Sequence, residues 1–254
     1  MNSLRKTAVL VGALYILAAV TSVIALIEYG PVLHDTAFVL KGSAHSARVA
    51  TGALLETVLA FSIIGISLAM FPILRKRGEG LALGYACFRL LEATVIIVGI
   101  ISLLSVVTLS RQYAQAAGPD AASYQVAGRA LVAQHDWTFL FGPDLALGPS
   151  TLIMSWFLLR SRLVPRFIAV MGLVGGPLVL ASAVLVMFNA YSQTSTWGAA
   201  SAIPVAAYEM TFAVWLIVKG FDATALAALE ARSAQSAQEG QPVQSVQPTP
   251  SVPR

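Results

Sequence analysis

The chain has 254 residues, of which 57% are hydrophobic and only 11% charged, and its mean hydropathy is +0.77. Soluble domains carry charge on about a quarter of their residues, so this balance sets aside a water-soluble globular fold and is that of a polytopic membrane protein. The net charge of +4 does not point to a nucleic-acid partner, because the basic residues stand in short groups flanking apolar runs, as topology signals do.

Residues 7–27 (TAVLVGALYILAAVTSVIALI) follow Arg5 and Lys6 and contain 21 residues without a charge. About 20 apolar residues cross a bilayer core, so this is the expected first of six transmembrane helices. The run is too long for the core of a cleaved signal peptide, and no A-x-A site follows it. A polar connection over 28–49, with Tyr29, His34, Asp35, Lys41, His45 and Arg48, leads to a second span over 50–72. That span carries Glu56 and is expected to close at Phe71-Pro72. The basic turn LRKRGEG then leads to a third span, 81–109, which at 29 residues has to tilt or protrude. It holds Arg89, Glu92 and the only cysteine, Cys87, so no intramolecular disulfide is possible.

Residues 110–137 form the longest connection, broken at Gly118-Pro119. Beyond the break Tyr124, Ala127, Leu131 and His135 recur at helical spacing, the pattern of a short helix lying on the membrane surface. The fourth span, 138–159, is interrupted by Gly142-Pro143-Asp144 and Gly148-Pro149, and Arg160, Arg162 and Arg166 follow it. Broken helices at membrane depth line cavities or are packed proline kinks, and both readings stand for Gly142-Pro143-Asp144. The fifth span, 167–190, contains Gly172-x-x-x-Gly176, a spacing that lets helices approach closely. The sixth, 200–220, contains Pro204, Glu209 and a closing Lys219. A cytoplasmic tail over 222–254 begins as an alanine-rich helix to about residue 238 and ends in a polar, proline-rich stretch expected to be disordered.

Eleven of the 16 lysines and arginines fall on the N-terminal side of the membrane by this reading and four on the other, with Arg89 inside. The positive-inside rule therefore places both termini in the cytoplasm. Trp137 and Trp197 lie near the outer boundary and Trp156 and Trp215 near the inner one, as in aromatic belts.

Five ionisable residues fall within the spans: Glu56, Arg89, Glu92, Asp144 and Glu209. A charge in hydrocarbon costs a few kcal/mol, so such residues need partners and mark functional sites by default. Arg89 and Glu92, at i and i+3, share a helix face. A rise of 1.5 Å per residue puts Arg89 roughly 12 Å and Glu92 roughly 16 Å from the inner boundary, and Glu56 and Asp144 roughly 9 Å from the outer one. Fully ionised, the five would total −3, which low-dielectric surroundings oppose. These residues are the candidate ligand or proton site, reached through an outward-opening cavity with His135 and Asp136 at its mouth. The bland reading is a buried bridge that only fixes helix packing, as in a structural or regulatory subunit. His34, His45 and His135 on the outer side would suit a metal enzyme, but they lack ligand spacing such as i and i+4. No metal or cofactor is expected, and no catalytic residue is identified. Nucleotide-binding loops and hydrolase signatures do not occur. The expected partners are the lipid bilayer and a small-molecule ligand.

Four ordered blocks carry a family resemblance: GYACFRLLEATVIIVGI, HDWTFLFGPDLALGPSTL, LLRSRLVPRFIAVMGLVGGPL and IPVAAYEMTFAVWLIVKGF. Together they resemble the bacterial membrane family catalogued as domain of unknown function 4386, over about residues 4–221. The resemblance implies a six-helix integral membrane protein without an assigned activity. It matches Arg89 and Glu92 to the family's third-helix motif, Phe141-Gly142-Pro143 to its fourth, Leu163-Val164-Pro165-Arg166 to an inner turn and Glu209 to its last helix. Asp144 is the weakest match.

Overall fold

The structure, a computed structural model, describes residues 3–41, 45–116 and 120–239. It is an all-α membrane helix bundle, with no strand among the described residues. Its helices are α1 (Ser3–His34), α2 (Ser46–Arg75), α3 (Glu79–Gln115), α4 (Ala121–Leu140), α5 (Leu147–Ser161), α6 (Arg166–Met187), α7 (Thr196–Val218) and α8 (Ala223–Glu239). A 3-10 turn, Phe38–Lys41, precedes α2, and a π-helical turn, Phe141–Ala146, joins α4 to α5.

Five helices are long and apolar enough to cross a membrane: Leu4–His34, Ser46–Arg75, Glu79–Gln115, Arg166–Met187 and Thr196–Val218. They are apolar nearly all round, as helices solvated by lipid on one side and packed on the other must be. Large side chains such as Leu17, Ile24, Leu68, Ile101 and Val174 stand exposed on the outside, while Glu56, Arg89, Glu92 and His135 are buried within. In water such an apolar exterior would be a liability; in lipid it is the solvated face.

Neighbouring helices close into a ring. α1 packs on α2, α2 on α3, α3 on α5 and the π turn, α5 on α6, α6 on α7, and α7 back on α1. Glycines set the closest approaches. A Cβ on Gly176 would lie 3.0 Å from the carbonyl oxygen of Gly148, and one on Gly175 2.8 Å from the backbone nitrogen of Val205. The Gly172-x-x-x-Gly176 stretch thus seats α6 against both α5 and α7.

Several boundaries differ from the sequence reading. Residues 28–34 are helical, because Pro31 falls in the last turn of α1 and removes only one of its hydrogen bonds. The connection to α2 is therefore short, and Tyr29 is a core residue. Pro72 does not close α2, which continues to Arg75. The stretch from Tyr124 to His135 is no separate surface helix. It belongs to α4, which packs against α3 and runs without a break into the fourth predicted span. That span, 138–159, is divided among the end of α4, the π turn and the 15 residues of α5. Pro143 lies within the π turn, whose wider hydrogen-bonding pattern accommodates a residue with no N–H to give.

The alanine-rich segment after residue 221 is docked on the bundle. α8 buries Leu226 and Leu229 in the core cluster that includes Leu74, Phe157 and Leu163. Lys76, just past the end of α2, pairs with Glu230 of α8 at 2.7 Å, and the Asp222 carboxylate accepts the Ala225 N–H at 2.7 Å as the helix begins. At the same end Arg5 donates to the carbonyls of Leu216 and Ile217, which the end of α7 would otherwise leave unpaired. The expected disordered stretch lies mostly outside the described residues.

Candidate functional site

The interior polar residues form two layers with apolar packing between them. The first is centred on α3, whose buried face carries Tyr85, Arg89, Glu92, Ile96 and Gly99. Arg89 Nη1 lies 3.0 Å from Glu92 Oε2 and 3.9 Å from Glu209 Oε1 on α7. The guanidinium also lies 5.8 Å from the ring centroid of Tyr15 on α1, within cation–π range. Arg89 and Glu92 are almost wholly buried, at 3% and 5% side-chain exposure, whereas Glu209 keeps 21%. Tyr208 and Phe212 of α7 stack in parallel with centroids 5.9 Å apart, and Tyr15 meets Phe212 edge-on, so the charged group has an aromatic wall.

This centre has more polar atoms than it pairs. Arg89 Nε, Glu92 Oε2, the hydroxyls of Tyr85 and Tyr208, and Ser155 Oγ are all buried without a well-aligned hydrogen bond among the described residues. Tyr208 and Ser155 are near neighbours, as are Tyr85 and Tyr15, but neither contact meets hydrogen-bond geometry. The ion-pair contact of Glu92 Oε2 with Arg89 is likewise not aligned as a hydrogen bond. Buried polar groups in folded proteins are nearly always satisfied. Several donors and acceptors around one guanidinium are thus left without an aligned partner among the described residues.

The second layer lies towards the other end of the ring. The Tyr29 hydroxyl donates to Glu56 Oε2 at 2.9 Å. His135 packs edge-on to Tyr29 at 5.7 Å, stacks on Phe139, and lies within electrostatic reach of Glu56. Gly52 makes the layer possible, since a Cβ there would lie 2.6 Å from the Tyr29 ring. Gly99 does the same for α4, where a Cβ would meet Thr138 Oγ1 at 2.5 Å. A small void of about 10 Å³ sits between Glu56, Gly99, His135, Thr138 and Pro143, close to the minimum that holds one water. Between the layers Ala18, Leu59, Ile63, Ala93 and Ile96 form an apolar cluster. From Glu92 to Gly99 the helix advances roughly 10 Å.

Asp144 belongs to neither layer. Its Oδ2 accepts a hydrogen bond from Gln193 Nε2 at 2.8 Å, although its charge remains within reach of Glu92. A cleft of about 360 Å³ opens here between α1, α4 and the α6–α7 connection, lined by His34, His135, Asp136, Trp137, Tyr191 and Gln193 among others. His135 and Asp136 therefore stand at its wall, with His135 Nδ1 unpaired and 3.6 Å from the exposed Asp136 carboxylate. Arg89, Glu92 and Glu209 come together; Glu56 joins His135 instead, and Asp144 stands apart. Tyr15, Tyr29, Tyr85, Ser155, Gln193 and Tyr208 take part without having been singled out in the sequence. The available signal was tyrosine inside apolar spans, with Tyr85 one turn before Arg89 and Tyr208 beside Glu209. Among the described residues no three His, Cys, Asp or Glu side chains gather as a metal site.

A family model described as "Domain of unknown function (DUF4386)" matches residues 10–220. No curated protein and no solved structure matches the chain.

Proposed function

From the premise that the chain belongs to the DUF4386 family, whose model covers residues 10–220, we propose that it binds or translocates a small solute at the charged centre formed by Arg89, Glu92 and Glu209. In this reading it is a multi-pass protein of a bacterial plasma membrane, with six crossings and both termini in the cytoplasm. The observation that supports it is the set of orphaned buried atoms around the guanidinium, which offers both donors and acceptors inside a closed helix ring. The outer cleft ends on His135, and the void beside Glu56 continues inward from it. The apolar cluster around Ile63 and Ile96 then serves as the barrier between outside access and the charged centre, as hydrophobic constrictions do in gated pores.

The test is a panel of small polar solutes applied to the detergent-purified protein across pH, read as unfolding temperature. A solute that stabilises wild type and loses its effect in folded Glu92→Gln or Glu209→Gln supports the reading. A panel without effect, with each variant melting earlier, favours the alternative of a structural or regulatory subunit. One observation favours that alternative: the Arg89 to Glu209 contact links α3 to α7, helices that are not neighbours in the ring.

A further inference from the structure

A further cavity lies at the other end of the bundle. It measures about 650 Å³, between α8 and the turns that join α2 to α3 and α5 to α6. Four arginines, Arg77, Arg160, Arg162 and Arg232, line it together with Ser161 and Asp222. Of the nearby acids, Asp222 lines the cavity and caps α8, and Glu230 pairs with Lys76. No ion pair engages Arg77, Arg160 or Arg162 among the described residues.

Two features distinguish this from basic residues that merely mark an orientation. The first is convergence. Arg77 comes from one turn, Arg160 and Arg162 from another, and α8 forms the facing wall, so three guanidiniums converge on one concavity whose lining carboxylate, Asp222, is turned to capping α8. Arg160 is fixed over the Trp156 ring at 4.4 Å, and Arg162 sits in the left-handed region at φ 59° as α5 ends. The second is an unpaired buried hydroxyl, Ser161 Oγ, on the cleft wall. Beyond Arg162 and Asp222 the surface continues into a neighbouring hollow of about 320 Å³, which adds Lys219 and the apolar side chains of Leu163, Val164, Trp215 and Phe221.

We propose that this cleft binds a phosphate group, carried by an acidic phospholipid headgroup or by a soluble phosphorylated compound. Guanidinium forks match phosphate oxygens bidentately, and basic pockets between membrane helices take such headgroups. The anion relieves the mutual repulsion of the three arginines, and Ser161 supplies a further hydroxyl donor. Trp215 and the apolar hollow beside Arg162 suit the glycerol and upper acyl carbons of a lipid whose phosphate lies among the guanidiniums.

The test uses the full chain in detergent at low salt. Unfolding temperature is measured with phosphatidylglycerol, phosphatidylcholine, inorganic phosphate and glycerol 3-phosphate, for wild type and for Arg77→Gln/Arg160→Gln/Arg162→Gln. We expect a phosphate-bearing anion to raise the wild-type unfolding temperature by several degrees, the gain to shrink at high salt, and the triple variant to lose most of it. A shift with phosphatidylglycerol alone identifies a lipid, and an equal shift with glycerol 3-phosphate or phosphate identifies a soluble source. Equal shifts in wild type and triple variant, or none from any anion, overturn the proposal. Native mass spectrometry of wild type incubated with an equal mixture of the two lipids, and separately with glycerol 3-phosphate and with inorganic phosphate, stands apart from the variant's folding. If neither soluble anion is retained and phosphatidylglycerol is not retained in preference to phosphatidylcholine, the proposal likewise fails.

Discussion

Replacing Arg89 with methionine removes the one buried cation of the charged centre while keeping much of its volume. Glu92 then loses the partner 3.0 Å away and has nowhere to go, since its side chain is 5% exposed. Glu209, 3.9 Å from the same nitrogen and 21% exposed, is better placed to reach water or take a proton. Removing one partner of a buried pair costs about 3–5 kcal/mol, because the other is left uncompensated. The Tyr15 ring loses its cation as well, a further ~0.5–2 kcal/mol. Adding Glu92→Gln to Arg89→Met takes away the stranded charge, so the double variant should be more stable than the additive sum by ~1–3 kcal/mol. Equilibrium unfolding in mixed detergent and dodecyl sulfate micelles, followed by circular dichroism, measures all four corners of this cycle. A single-variant loss under about 1 kcal/mol, with strictly additive corners, would refute the view that this pair organises the interior.

Other expectations follow from the same packing. Gly172→Val should destabilise by about 1–3 kcal/mol, because a Cβ there overlaps Ser155 Oγ and lies 2.9 Å from the Tyr208 ring; thermal melting measures it. Tyr29→Phe leaves the buried Glu56 carboxylate without its donor and should cost ~1–3 kcal/mol, and Gly52→Val, which displaces the whole Tyr29 ring, should cost more. At the 35–41 turn, Lys41 and the Ala37 N–H hold the Asp35 carboxyl below the usual range. A carboxyl lowered on folding contributes stability above its unfolded pKa, near 3.9, and loses it as pH falls through the folded value. Protease resistance of this turn should therefore fall with acidification through that window in wild type, and Asp35→Asn should abolish the dependence.

What could be read from the sequence was whatever depends on position along one helix. Apolar runs found five long helices, though α1 and α3 continue well beyond their expected ends and the fourth span is divided, and the i, i+3 spacing of Arg89 and Glu92 survives as a 3.0 Å contact. The assignment of acids to one centre required knowing which helix neighbours which, and spacing does not carry that. Glu56 and Asp144 read as lying at one depth, yet one faces Tyr29 and the other Gln193. Tyr29 read as loop because Glu28, Gly30 and Pro31 surround it, a local signal outweighed by burial against Gly52 and Glu56. His135 read as the end of a surface helix at a cavity mouth, and it is buried against Tyr29 and Phe139. Its helix is amphipathic by spacing, but the apolar stripe it shows is answered by α3 rather than by the membrane surface.

The π turn at Phe141–Ala146 has a consequence for how this architecture can vary. A wide turn absorbs one extra residue, and each residue of α-helix turns the chain by about 100°. The stretch bearing His135 and the stretch bearing Ser155 are thereby phased separately, though they form one continuous rod. Deleting a single residue within 141–146 would leave a smoother helix and a worse protein, because α5 would swing a quarter-turn or more and carry Ser155 and Gly148 away from α6. Length at this joint is held fixed by rotation, whichever side chains fill it.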